Sequence, residues 1–185
     1  MTRSMILLAF VLLALPPAIA RAAPAVDPQN TIYMDTTKGR VVIKLRPDLA
    51  PNHVKRVKEL TQQGFYNGTP FHRVIAGFMA QGGDPTGTGR GGSNLPDLKA
   101  EFTNTNFVRG VIGAARGNDP DSANSQFFIC LADCSFLNGQ YTVWGEVTQG
   151  MENVDKLKKG NPDVDDGQVA NPDKIVKMQL AADAK

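Results

Sequence analysis

Hydrophobic and polar positions change period several times along the chain, and each change marks an element. Residues 31–36 (Thr-Ile-Tyr-Met-Asp-Thr) and 40–45 (Arg-Val-Val-Ile-Lys-Leu) are β-rich runs on either side of Thr37-Lys38-Gly39. Two such runs about a short turn containing Gly predict a hairpin. Between residues 48 and 63 the period lengthens: Val54, Val57 and Leu60 recur three apart, while Lys55, Arg56, Lys58 and Glu59 take other faces. With Gly64 as a stop, this predicts an amphipathic helix with one buried stripe. Short strands are predicted at 70–74, 78–82, 111–115, 126–130 and 143–147, each bounded by Gly, Asn, Asp or Pro. A second helix is predicted at 151–158, stopped by Gly160-Asn161-Pro162, and residues 175–180 alternate imperfectly into a last strand. Eight short strands and two helices in one chain predict a mainly β fold, a closed barrel capped by two α-helices.

Residues 1–22 follow another pattern. Met1-Thr2-Arg3-Ser4 precedes eleven consecutive apolar residues, 5–15, and then Pro16-Pro17-Ala18-Ile19-Ala20-Arg21-Ala22. A basic start, a short apolar run and small residues at A-x-A spacing predict a secretory signal peptide, cleaved after Ala20 or Ala22. As a helix the apolar run spans about 16 Å, half of a hydrocarbon core of about 30 Å, so a stable membrane anchor is disfavoured. No cysteine precedes Cys130, which excludes a lipid-modified N-terminus. Residues 23–30 form a short arm, and 31–182 one domain.

Composition narrows the function classes. The chain has 185 residues, 42% hydrophobic and 21% charged, which suits one globular domain. Its 18 glycines and 12 prolines argue against a helical bundle. The net charge of +2 belongs to the leader: without Arg3 and Arg21 the balance is 18 basic to 18 acidic residues. No nucleic-acid footprint is present. No further apolar helix or long edge segment stands out, so a monomer is expected.

Several candidate chemistries fail on context. Gly87-Thr88-Gly89-Arg90-Gly91-Gly92 satisfies G-x-G-x-x-G, but Ser93-Asn94-Leu95-Pro96 follows where a dinucleotide site needs a helix N-terminus. A structural surface loop is expected there. His53 and His72 are too far apart in sequence for a metal motif, and His53 is expected at the surface or boundary of its helix. Ser125 is followed by Gln126, so a hydrolase nucleophile elbow is absent. Asp119 and Asp121, and likewise Asp163, Asp165 and Asp166, are expected to be solvated turn residues. In an extended strand the Cα atoms of Cys130 and Cys134 would lie about 13 Å apart, beyond the reach of about 7 Å for a disulfide. Two free thiols are favoured.

What remains is a set of polar residues keyed to the faces of large apolar ones. Met79 and Gln81 share a strand face, as do Gln126 and Phe128, and Arg73 lies on the preceding run. The run Phe71-His72-Arg73-Val74-Ile75-x-Gly77-Phe78-Met79-x-Gln81-Gly82-Gly83-Asp84, then Ser125-Gln126-Phe127-Phe128-Ile129, then Phe136-Leu137-Asn138-Gly139 with Val143-x-Gly145-x-Val147, closely resembles the cyclophilin family of peptidyl-prolyl cis-trans isomerases. The resemblance extends from about residue 31 to the last strand.

The resemblance implies an eight-stranded antiparallel β-barrel with a helix at each end, and proline-containing polypeptides as substrates. It implies no cofactor, no metal and no nucleic acid. It assigns Arg73 as the donor to the twisting prolyl nitrogen and Gln81 as the residue that holds the guanidinium. Phe78, Met79, Phe128 and Leu137 would enclose the proline ring, Gln126 would hydrogen-bond the peptide, and the backbone of Ala115 and Arg116 would carry it across the groove. Phe136 stands where many members have tryptophan and Tyr141 where many have histidine. Loss of the indole N–H predicts weakened cyclosporin binding, and the pair of changes is similar to bacterial exported members, which implies a periplasmic location. A module that grips proline segments without turnover is the alternative reading.

Overall fold

Alternation of apolar side chains sets the first hairpin. The structure, a computed structural model, describes residues 27–184; the expected signal peptide and the first residues of the arm lie outside them. In β1 (Thr31–Thr36) and β2 (Gly39–Leu45), Ile32 faces Ile43 and Met34 faces Val41, all fully buried. The two-residue loop is closed by the Thr36 hydroxyl, which donates to the Gly39 carbonyl at 2.9 Å. The predicted helix is α1 (Pro51–Gln62), whose buried side chains are His53, Val54, Val57, Leu60 and Thr61.

The remaining strands are β3 (Arg73–Ile75), β4 (Met79–Gly82), β5 (Val111–Ala114), β6 (Phe127–Cys130), β7 (Val143–Gln149) and β8 (Ile175–Leu180). All eight form one antiparallel sheet in the order β3-β4-β6-β5-β7-β2-β1-β8. The sheet curls into a half-barrel, and the expected closure does not occur: β3 and β8 are its two edges. Irregular chain bridges the seam. Phe71 N–H donates to the Asp173 carbonyl at 2.9 Å, Ile175 N–H to Thr69 at 2.9 Å, Val74 N–H to Gly167 at 2.9 Å and Gly160 N–H to Val74 at 2.9 Å. The edge groups are thereby satisfied without a continuous strand ladder.

The second cap also differs from expectation. The predicted helix at 151–158 is reduced to α2 (Met151–Asp155), and a further short helix, α3 (Pro162–Asp165), follows. Gly160-Asn161-Pro162, expected as a stop, includes a start: the Asn161 side chain accepts from Asp163 N–H at 3.0 Å and Pro162 occupies the first turn.

Strands β3 to β7 each feed two cores, whereas β1, β2 and β8 feed only the interior one. Val74, Ala80, Ile112, Phe127 and Ile129 face the interior, where Phe127 meets Tyr66, Phe71 and Trp144 edge-on. The alternate residues Met79, Val111, Phe128, Cys130 and Val143 form a second core on the other face of the sheet, with Phe107 and Cys134.

His53 is buried, at 2% exposure, rather than at the surface. Glu101 reaches the start of α1, accepts from the Asn52 and His53 backbone N–H groups at 3.1 and 3.0 Å, and receives the His53 Nδ1–H at 2.6 Å. This long-range cap, which replaces a local capping side chain, draws the imidazole inward. His72 is buried as well.

Burial holds the pKa of His53 below its ordinary value despite Glu101, and lowers that of His72 despite Asp84. Both rings are therefore neutral in the fold but protonate near pH 6.5 in the unfolded chain. Their contribution to stability is present above about pH 6.5 and is lost as pH falls toward the lower folded values. A denaturant series is expected to give a steady midpoint from about pH 8 to 7 and a declining one from about pH 6.5 to 5; a flat midpoint across that interval would contradict the neutral pair.

Candidate active site

The candidate residues are brought together by strand register. Arg73 pairs with Gln81 across β3 and β4, Gln81 with Phe128 across β4 and β6, and Phe128 with Gly113 across β6 and β5. Directly paired residues share a face, so a guanidinium, an amide and a phenyl ring stand side by side in one row over the second core. The turn between β3 and β4, with Gly77 at φ +72°, sets Phe78 at the end of the row. Glycine alone adopts that conformation without steric cost.

These residues border a pocket of about 170 Å³ lined by Arg73, Phe78, Met79, Gln81, Ala115, Arg116, Phe128, Leu137 and Tyr141. Its floor and far wall form a continuous stack. Phe107 lies against Phe128 at 5.5 Å, Tyr141 stands edge-on to Phe128 at 5.5 Å, and the Arg116 guanidinium covers Tyr141 at 4.6 Å from the ring centre. Arg116 is held in turn by the Gln140 and Gly117 carbonyls. The Ala115 N–H is bonded to the Gln126 carbonyl at 2.9 Å.

Phe136 falls outside the lining: it is 62% exposed and lies tilted against Phe78 at 5.3 Å. Gln126 borders an adjoining polar cleft of about 490 Å³, which shares Gln81, Ala115 and Arg116 with the pocket. Its amide donates to the Gly89 and Gly91 carbonyls at 3.0 and 2.8 Å. Its oxygen also accepts from Gln81 Nε2 at 2.9 Å, which leaves one lone pair for a peptide.

Gln81, assigned to hold Arg73, makes no hydrogen bond to it here; its Nε2 donates to Gln126. Arg73 is held instead by Asp166: Nε donates to the Asp166 carbonyl at 2.8 Å and Nη2 to its carboxylate at 3.1 Å, while Nη1 faces the Met79 sulfur at 3.9 Å. Asp166, expected as a solvated turn residue, has left-handed backbone at φ +55° just after α3. Ninety-three positions separate it from Arg73, and no local pattern in the sequence signals the contact.

No helix directly follows the glycine loop, and its fold rests on Asp84. Asp84, fully buried, accepts from the Thr86 backbone N–H and hydroxyl, both at 2.8 Å, and from Gly89 N–H at 2.7 Å, which folds the loop back along the polar cleft. Cys130 and Cys134 are free and buried in the second core. The Cys134 thiol donates to the Phe78 carbonyl at 3.3 Å, and burial pushes the Cys130 thiol up.

An antiparallel half-barrel with an apolar pocket and a fixed guanidinium at its rim defines a protein of the cyclophilin class. The family model for cyclophilin type peptidyl-prolyl cis-trans isomerase/CLD matches residues 31–180. A probable peptidyl-prolyl cis-trans isomerase of Brucella suis biovar 1 is 50% identical over 190 residues, 97% of this chain and 96% of its own length. The human peptidyl-prolyl cis-trans isomerase-like 1 is 42% identical over 141 residues, 71% of this chain and 80% of that one. Among solved structures, cyclophilin AquaCyp293 from Hirschia baltica is similar with a TM-score of 0.76 at 29% identity, covering 86% of this chain and 77% of its own. A Cryptosporidium parvum cyclophilin type isomerase, crystallised in the presence of the dipeptide Ala-Pro, gives 0.74 at 29% identity, covering 81% and 98%. The chain belongs to the cyclophilin family and is a peptidyl-prolyl cis-trans isomerase.

Gly113 is the tightest point beneath the pocket. A Cβ there would lie 2.4 Å from Phe128 Cζ and 2.7 Å from Phe107 Cε1, so any side chain must displace the floor. Gly113→Ala is expected to cost about 1–3 kcal/mol of stability and to weaken binding of proline peptides. Denaturant unfolding and peptide titration measure the two effects, and a variant with wild-type values in both would show that the floor yields freely.

Proposed function

We propose that the pocket takes the proline ring of a polypeptide and that Arg73 lowers the barrier to rotation of the preceding amide. That barrier, about 18–20 kcal/mol, arises from resonance in the planar C–N bond. Proline leaves only about 0.5–1 kcal/mol between cis and trans, so both isomers are populated and the catalyst needs only to favour the twisted state. Twisting localises the lone pair on the prolyl nitrogen and makes it an acceptor. A donor fixed beside it binds the twisted amide better than either planar form. Arginine suits this task because it stays charged at any physiological pH.

The observation that carries the reading is the orientation of Arg73. Its Nε and Nη2 are anchored to Asp166 while Nη1 lies on the pocket side, next to Met79. Phe78, Met79, Phe128 and Leu137 offer the ring an apolar enclosure, and exclusion of water there strengthens the hydrogen bond from Arg73. In this reading the Gln126 oxygen and the backbone of Ala115 and Arg116 fix the flanking peptide. No bond is broken, so positioning and electrostatics account for the whole reaction.

The client proteins in this reading are exported ones. The basic start, apolar run and A-x-A spacing in residues 1–22 support secretion and a periplasmic location. Phe136, exposed against Phe78, supplies an apolar surface but no N–H donor, which supports weakened cyclosporin binding.

NMR exchange spectroscopy on an X-Pro peptide tests the central step. Wild-type protein is expected to accelerate cis-trans exchange at substoichiometric concentration, and Arg73→Ala to lose about a hundredfold or more of that rate. Binding without faster exchange would mark a proline-gripping module, and full activity in Arg73→Ala would remove the proposed donor. In the same assay Phe136→Trp is expected to gain sensitivity to cyclosporin, whereas equal inhibition of both proteins would contradict the role given to the missing indole.

A further inference from the structure

We propose that Asp166 is the positioning residue for Arg73, and that the segment from Gly160 to Gln168 is folded so as to deliver it. This rests on Arg73 being the donor to the prolyl nitrogen. Asp166 grips one edge of the guanidinium at two points, Nε through its carbonyl at 2.8 Å and Nη2 through its carboxylate at 3.1 Å. The group is planar and rigid, so fixing that edge fixes the direction of Nη1.

The segment is tied to the same strand that carries the arginine. Gly160 N–H donates to the Val74 carbonyl, and Val74 N–H donates to the Gly167 carbonyl, both at 2.9 Å. Arg73 itself bridges to Gln168. Inside the segment, the Asn161 carbonyl accepts from Asp165 and Gly167 N–H, both at 3.2 Å.

Steric limits define the path further. A Cβ on Gly160 would lie 2.2 Å from the Gly167 carbonyl oxygen, and one on Gly167, at φ +80°, would lie 2.4 Å from Ile75 Cγ1. Asp166 itself adopts φ +55°, a conformation that Asp and Asn tolerate better than most residues. Its side chain is 81% exposed. Water screens such a pair, so its value lies in orientation rather than in attraction. An unheld arginine at the rim would sample rotamers in which Nη1 points away from the prolyl nitrogen.

Four variants test this on the full chain, with X-Pro exchange rates, thermal unfolding and the Arg73 Nη2 proton resonances as readouts. Asp166→Gly preserves the left-handed backbone and removes the carboxylate. It is expected to lower kcat about threefold to tenfold with KM unchanged, and to quicken exchange of the Arg73 Nη2 protons with water, while Nε–H keeps its backbone carbonyl acceptor. Asp166→Asn, which retains an acceptor oxygen and the backbone preference, is expected to recover most of the loss. Asp163→Ala, in the same segment without contact to Arg73, is expected to match wild type. Wild-type kcat in Asp166→Gly alongside an inactive Arg73→Ala overturns the positioning role alone. Full activity in Arg73→Ala overturns the underlying assignment of the donor. A fall in kcat that follows a fall in melting temperature, with the Nη2 protons unmoved, also overturns the proposal by reducing Asp166 to a structural residue.

Discussion

The register of β3, β4, β6 and β5 is the constraint on which the site depends. Arg73, Gln81, Phe128 and Gly113 occupy one row because each is the direct partner of the next. A slip of one residue in β4 would turn Met79 and Gln81 toward the interior and Ala80 toward the pocket, since side chains alternate with a period of two. Such a slip is opposed on both faces at once. Ala80 and Ile129 are fully buried in the interior core, Met79 and Cys130 in the core beneath the pocket. The placement of catalytic-type polar groups is therefore a by-product of packing that is almost entirely apolar.

The pocket built on that row is stiff by construction. Phe107, Phe128, Tyr141 and Arg116 form a stack whose last member is pinned by backbone carbonyls. Gln81 donates to Gln126, whose amide donates in turn to the glycine loop that Asp84 holds from within, so the pocket rim is tied to that loop. A catalyst that acts by favouring a twisted amide gains from such rigidity, because its groups need not reorganise when the amide leaves planarity.

How much of this was legible in the sequence depended on the range of the interactions. The hairpin at 31–45, α1 and the strand positions follow from local period and turn residues, and the shared face of Met79 and Gln81 follows from alternation alone. The relation of Arg73 to Gln81 and Phe128 became readable through resemblance to a family, since no spacing rule reports which strands pair. Features set by distant partners stayed hidden. Glu101 draws His53 inward from forty-eight positions away, and α3 docks Asp166 on Arg73. The seam remains open because irregular chain, which has no periodic signature, satisfies both sheet edges. Asn161-Pro162 illustrates the ambiguity at its smallest scale: the same residues that end one helical pattern begin another.

The open seam gives Arg73 an energetic address of its own. Arg73 lies on an edge strand of three residues whose outer side is held by Gly160, Gly167 and Gln168 rather than by another strand. Short irregular segments of this kind open locally at a lower free energy than the strands of a packed core. Detachment of that segment would release the guanidinium while the aromatic cores remain intact. A form with its aromatic cores intact and Arg73 unheld would then precede global unfolding, and under the proposed mechanism it would grip proline without turning it.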